Sequence, residues 1–188
     1  SEPKRQPTRV ADIVADAVGL AEIEARKRKI RILTEIRSRM PVIHVDPVLI
    51  EQVLVNLLKN AAEAMHDAKP NAVDPVIRVI VQRVDGGFVC VSVVDQGPGV
   101  DEATAERLFE PFYSTKSDGM GMGLNICRSI IESHRGRLWV VNNIDASGNV
   151  TGATFHCSLP IGEAEGPGSS GPEALSHQPT QQTVTGEL

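Results

Sequence analysis

The sequence predicts an α+β fold: a two-layer sandwich of one mixed β-sheet with helices packed on one face. Three observations carry this. Apolar residues recur at helical spacing in 8–29 and again in 47–65. Two alternating runs, VIRVIVQRV (76–84) and FVCVSVVD (88–95), flank Asp85-Gly86-Gly87, which is hairpin chemistry. The 188 residues are 41% apolar, enough for one domain with a core plus a tail.

The elements follow in order. The first helix has Val10, Ile13, Val14, Ala17, Val18, Ala21 and Ala25 on one face, with Thr8 as its expected N-cap. IRILTEI (30–36) alternates and reads as a strand, and PVIHV (41–45) as a second, short one. Asp46-Pro47 opens a strong helix, Asp as N-cap and Pro at the first helical position. After the hairpin come a short helix over 101–108 and a longer one over 124–134, ending near Gly136. RLWVV (137–141) and ATFHCSLP (153–160) are the last strands. From Gly162 the chain turns to Gly, Pro, Ser, Gln and Thr with almost nothing to bury. The expected organisation is therefore a folded domain over 1–161 and a disordered polar tail over 162–188.

Charge and cysteines narrow the function classes. A formal net charge of -5 argues against a nucleic-acid binder and fits a protein that keeps local basic groups for an anionic ligand. Cys90, Cys127 and Cys157 each sit in an apolar run and form no CxxC pair, so buried reduced thiols in a reducing compartment are expected. No apolar run reaches the roughly 18 residues of a membrane helix. The chain begins at Ser1 without a Met and reads as a piece of something longer.

Four stretches carry chemistry. In EQVLVNLLKNAAEAM (51–65), Ile50, Val53, Leu54, Leu57, Leu58, Ala61 and Met65 form one stripe. Asn56, Asn60 and Glu63 form a second, roughly 120° around the helix. Solvated polar positions would explain that second stripe, and so would a pair of oxygen ligands for a Mg²⁺-phosphate. DQGPG (95–99) places a carboxylate at a strand end, followed by Gly97 and Gly99. It reads as an ordinary turn, or as a purine edge. An adenine amine would donate to Asp95, whereas guanine would present an acceptor that a carboxylate repels. LFEPFYSTK (108–116) brackets Pro111 with Phe109 and Phe112 in a chain only 3% aromatic. The pair is expected to form an apolar cluster anchoring a loop, with Thr115 and Lys116 in reach of phosphate oxygens. STKSDGMGMGLN (114–125) puts Gly119, Gly121 and Gly123 before a helix start, where free N–H groups hold anions. It is neither a P-loop nor a dinucleotide fingerprint.

In this order and spacing the four stretches resemble the N, G1, F and G2 boxes of the histidine kinase catalytic domain, and GATF (152–155) resembles that family's last glycine box. The resemblance covers about 8–160. It implies the Bergerat ATP-binding fold, shared with gyrase, heat-shock chaperone and mismatch-repair ATPases. The stretch STKSDGMGMGLNICRSIIESHRGRLW is most similar to sensor kinases that read oxygen, nitrogen status or dicarboxylates.

The resemblance implies ATP and Mg²⁺ as cofactors and a role for each matching position. Asn60 would coordinate Mg²⁺ with Asn56 assisting, Glu63 lying on the same stripe. Asp95 would accept from the adenine amine, with Gly97 and Gly99 shaping the pocket and Thr154 supporting it. Thr115 and Lys116 would touch phosphate from a lid over 113–120. Gly119, Gly121 and Gly123 would bend around the phosphates, with Leu124 opening the helix behind them. Asn56, Asn60 and Lys116 form the implied catalytic set.

Hydrolysing members of the superfamily carry a Glu where this chain has Asn56, and an amide cannot take water's proton at neutral pH. The implied reaction is thus γ-phosphoryl transfer to a histidine on a dimerisation domain. None of His44, His66, His134, His156 or His177 has the setting of that histidine. The chain alone is expected not to phosphorylate itself and to be largely monomeric, within a homodimeric, cytoplasmically active parent whose membrane anchoring stays open. A response regulator is the implied downstream partner. An anti-sigma-type serine kinase and a non-catalytic nucleotide-binding module are the alternatives on the same fold.

Overall fold

Two sheets form, and the smaller one ties the start of the chain to its middle. The computed structural model describes residues 2–69, 71–113 and 123–162. Strand β1 (Gln6–Arg9) pairs antiparallel with β3 (Val42–Val45), Thr8 opposite Ile43. The larger sheet takes β2 (Arg31–Ile36), β4 (Val76–Val84), β5 (Phe88–Val94), β6 (Arg137–Ile144) and β7 (Val150–Pro160), in the order β2-β4-β5-β7-β6. Only β2 and β4 run parallel, so the sheet is mixed, as expected.

β1 was not foreseen, and it corrects the first cap. Helix α1 (Val10–Lys27) starts directly from the strand, with Arg9 at the N-cap position and no side-chain cap. Thr8 instead donates its hydroxyl proton to the Gln6 carbonyl at 2.8 Å. Nothing local in Gln6–Arg9 marks a strand, because its partner lies more than thirty residues away.

Helix α2 (Pro47–Ala68) forms as the sequence anticipates. Asp46 Oδ1 accepts from the Leu49 N–H, and Pro47 sits in the first turn. Ile50, Val53, Leu54, Leu57, Leu58, Ala61, Ala62 and Met65 are all buried. Each fully buried large aliphatic contributes roughly 1.5–3 kcal/mol, against at most about 0.7 kcal/mol of helix propensity lost at each Asn. Packing therefore holds α2 helical and leaves it free to carry polar groups on its flank.

The strands alternate cleanly. Ile77, Val79 and Val81, Val89, Val91 and Val93, and Phe155, Cys157 and Leu159 join the core formed with α1, α2 and α4 (Leu124–Ser133). Residues between them face the other side of the sheet. Gly86 and Gly87 carry positive φ in the β4–β5 turn, as a tight hairpin requires. α4 ends near Gly136, as expected. The left-handed residue is Arg135, φ 60, and Gly136 follows it, its N–H bonded to the Ile131 carbonyl. Glycine is needed at 136 for closeness: a Cβ there would lie 2.1 Å from the Ser158 carbonyl oxygen.

All three cysteines are free and buried. Burial raises each thiol's pKa, that of Cys127 to about 12, which keeps them protonated and unreactive. Among the described residues no helix is long and apolar enough to cross a membrane. The chain after 162 lies outside the described residues.

Candidate functional site

The site is built where β5 runs out. The Asp95 N–H extends the ladder to the Ala153 carbonyl at 2.9 Å. Its side chain turns back, and Oδ1 accepts from the N–H groups of Gly97 at 2.9 Å and Ala153 at 3.0 Å. Asp95 is only 6% exposed. Burial raises its carboxyl pKa, opposed by the two backbone donors. Among the described residues its side-chain hydrogen bonds fall on Oδ1, which leaves the second oxygen to face a ligand.

Three glycines permit this. A Cβ on Gly152 would stand 2.0 Å from the Asp95 carbonyl oxygen and 3.1 Å from Oδ1. On Gly97 it would meet Asp95 Oδ1 at 3.2 Å and Ala64 Cβ, on α2, at 3.4 Å. Gly99 has φ +76, and a Cβ there would come within 2.4 Å of Val150 Cγ1. Asn142 then clamps the loop: its Oδ1 accepts from the Val100 N–H and its Nδ2 donates to the Val100 carbonyl. Gln96 Oε1 accepts from the Val76 N–H and ties the same loop to β4.

The Gly97–Ala64 contact brings in α2. Ala64 is four residues from Asn60, one helical turn along the same face. Asn60 Nδ2 donates to Asn56 Oδ1 at 3.0 Å, joining the two half-buried amides into one unit. Glu63, also half-buried, has Lys59 Nζ at 4.0 Å. The polar stripe read from the sequence thus borders the Asp95 loop. Both side chains are carboxamides, and an amide oxygen is the donor type that Mg²⁺ takes. The residues present fit that ion.

α4, which packs against α2, β6 and β7, carries the next of the sequence-predicted positions. Gly123 is its N-cap and has no side chain to satisfy the first-turn N–H groups. Its φ of -68 and ψ of 156 are open to any residue, so glycine is not needed at 123 to bend the backbone. Leu124 packs on the core and fixes the helix start. Thr115, Lys116, Gly119 and Gly121 lie outside the described residues.

Two expectations are corrected. Phe109 packs against the core, with the Arg128 guanidinium 5.2 Å over its ring. Phe112 does not join it: it is fully exposed, at φ 62. Thr154 is buried but faces away from Asp95. Strand alternation puts it on the side of His156, and its hydroxyl donates to Asn143 Oδ1 at 2.7 Å. The residue beside Asp95 is Ala153, acting through its backbone. Gly152, Ala153 and Asn142 were missed as site residues. For Gly152 and Ala153 the only signal in the sequence is the late glycine box, and for Asn142 there is none.

The four described histidines are placed as expected, in strands or at helix ends. His44 lies in β3 and His66 in the last turn of α2. His156 stacks on Trp139, ring centroids 5.0 Å apart, and shares a 2.8 Å hydrogen bond with Ser92. His134 ends α4. His177 lies outside the described residues.

The family model described as histidine kinase-, DNA gyrase B- and HSP90-like ATPase matches residues 45–163, which include every described side of this site. The chain belongs to that family. Among curated relatives of this ATPase-family domain, the C4-dicarboxylate transport sensor protein DctS of Rhodobacter capsulatus is 40% identical over 84% of the chain and 23% of its own length. The sensor protein TdiS of Thauera aromatica is 33% identical over 85% of the chain and 28% of its own. The chain thus spans about a quarter of these sensor proteins. It spans nearly all of a solved catalytic domain. That of the histidine kinase ThkA superposes with a TM-score of 0.71 at 30% identity, covering 84% of this chain and 96% of that one. Full-length ShkA in complex with AMPPNP gives 0.73 at 26% identity, covering 87% and 32%. ThkA in complex with the response regulator TrrA gives 0.67 at 26% identity, covering 85% and 42%.

Proposed function

We propose that this chain is the ATP-binding catalytic part of a sensor histidine kinase, which donates the γ-phosphoryl of ATP to a histidine on a dimerisation domain. The observation that supports this most is the Asp95 carboxylate, one oxygen held by two backbone N–H groups and the other left to accept from an exocyclic amine. That arrangement favours adenine over guanine. Asn60, with Asn56 behind it, would hold Mg²⁺, which when bound neutralises phosphate charge. The opening turn of α4 would meet the phosphates with its N–H groups and dipole. Thr115 and Lys116 would add contacts from the segment before it.

Asn56 bears on the reaction. An amide is no general base, so water is not activated and ATP is kept for an incoming nucleophile. Catalysis is then largely positioning and charge stabilisation. The ThkA–TrrA complex supports a response regulator as the downstream partner.

The test supplies a separately purified dimerisation domain bearing the phosphoacceptor histidine, with labelled Mg²⁺-ATP. Acid-labile label on that domain is expected, and Asn60→Ala should reduce it together with the Mg²⁺ dependence of nucleotide binding. Acid-stable label would point to a serine kinase. No label under saturating ATP would overturn the proposal.

A further inference from the structure

We infer that His134 is a positioning residue for the nucleotide: it pins the C-terminal end of α4 to the N-terminus of α2, and so holds α4's opening turn at the phosphate side. The inference rests on the nucleotide reading above.

The argument starts from an incomplete cap. In a full capping box the N-cap side chain bonds the N–H of the third helical residue, and a Glu or Gln at that third position returns a bond to the N-cap N–H. In α2 the first half is present, Leu49 N–H to Asp46 Oδ1 at 3.3 Å. The third position is Leu49 itself, which cannot return the bond. His134 does so from another helix: its Nε2 accepts from the Asp46 N–H at 3.0 Å, across 88 residues of sequence.

The geometry also sets the ring's proton. His134 Nδ1 lies 2.8 Å from the Ile130 carbonyl, which can only accept. Nδ1 therefore carries the proton and Nε2 is the bare acceptor that Asp46 needs. At 3% exposure, neither bond exchanges readily with water. Two further bonds close the joint. The Lys4 N–H donates to Asp46 Oδ2 at 2.8 Å, and the Arg5 guanidinium donates to the Ser133 carbonyl. The incoming strand, the start of α2 and the end of α4 thus meet at one point.

That point lies at the far end of α4 from its opening turn. Ten residues make α4 about 15 Å long, so a tilt of about 10° around its C-terminal end moves its first turn by about 2.5 Å. Displacements of about 1 Å can already cost a hundredfold where positioning carries the chemistry. Cys127 and Ile131 seat one face of α4 on the core. The His134–Asp46 bond adds a directional tie to the helix that bears Asn56 and Asn60.

A structural role alone would weaken all ligands together. A positioning role weakens the phosphate end and spares the adenine end. The experiment measures ATP and adenosine affinity for this chain and three variants. Gln places an amide oxygen near Nε2 and keeps the Asp46 bond, Asn keeps only the Ile130 bond, and Ala keeps neither. We expect the ATP-over-adenosine preference to fall about tenfold in His134→Ala and His134→Asn and to return within about twofold in His134→Gln. Adenosine affinity should change less than about twofold throughout. An unchanged preference in His134→Ala and His134→Asn, or equal loss for both ligands in all three, overturns the inference. A wild-type chain that does not prefer ATP over adenosine overturns the nucleotide reading, and this inference with it.

Discussion

The loop at the end of β5 and the opening of α4 both set glycine beside the candidate site, and they use it in opposite ways. At the β5 end, Gly97, Gly99 and Gly152 are spaces that other atoms already fill, with a Cβ on Gly152 only 2.0 Å from the Asp95 carbonyl oxygen. The carboxylate there is oriented by the backbone before any ligand arrives. At α4, among the described residues, a Cβ on Gly123 would meet only the Asn125 side chain, a movable group, and the backbone angles are ordinary. One side is a fitted cradle. The other is a helix start whose N-cap, Gly123, has no side chain to meet the first-turn N–H groups. Recognition of a base asks for the first. Holding an anion asks only for the second, because the N–H groups and the helix dipole are supplied by any helix start.

This contrast can be broken or sharpened in steps. The largest effect is expected at Gly152. Its replacement by Ala forces the β5 and β7 ends apart and should lower stability by about 3 kcal/mol or more, read as a drop in the denaturation midpoint. A variant as stable as the parent would mean the cradle is not tightly fitted.

Next comes pH. The raised pKa of Asp95 means that its contribution to stability is fully present below the 3.8 of a free aspartate, and is lost as pH rises through its folded value. The charged form is the costly one for the empty fold, yet it is the form that accepts from an amine. ATP affinity should therefore fall on acidification at a pH above the ordinary aspartate range, by about tenfold per unit once the group is mostly protonated. Flat affinity through that range would detach Asp95 from the base.

The smallest effect belongs to Gly123→Ala. Asn125 can rotate aside, so stability should change by about 1 kcal/mol or less. A loss as large as that in Gly152→Ala would erase the distinction between the two regions.

Much of this was readable before any coordinates. The α2 stripes, the Asp46 cap and the Asp85–Gly87 hairpin are local patterns, whereas the grouping of Asp95 with the Asn pair is what the family resemblance implies. What escaped depends on distant partners. β1 is a strand only because β3 lies beside it. Gly152 and Ala153 matter only because Asp95, 58 residues before Ala153, folds onto them. Thr154 matches the family motif by its place in GATF, yet it lies one residue off the position that strand alternation turns toward Asp95. Phe112 matched the motif yet is exposed, because the turn after Pro111 takes it to φ 62 and away from Phe109. His134 read as a helix-end residue, and its bond to Asp46 leaves no trace in spacing.

The central claim is that Asp95 reads adenine, and nucleotide titration of the wild-type chain and Asp95→Asn tests it most directly. The amide keeps an oxygen for the Gly97 and Ala153 N–H groups and removes a buried charge, so the melting temperature without ligand should hold or rise. Its NH₂ then faces a donor on adenine and an acceptor on guanine. The account predicts a loss of ATP affinity of about a hundredfold, the scale of one charge-assisted hydrogen bond replaced by a clash, with the preference for ATP over GTP reduced or reversed. ATP affinity and ATP-over-GTP preference both unchanged in a stably folded Asp95→Asn would contradict it.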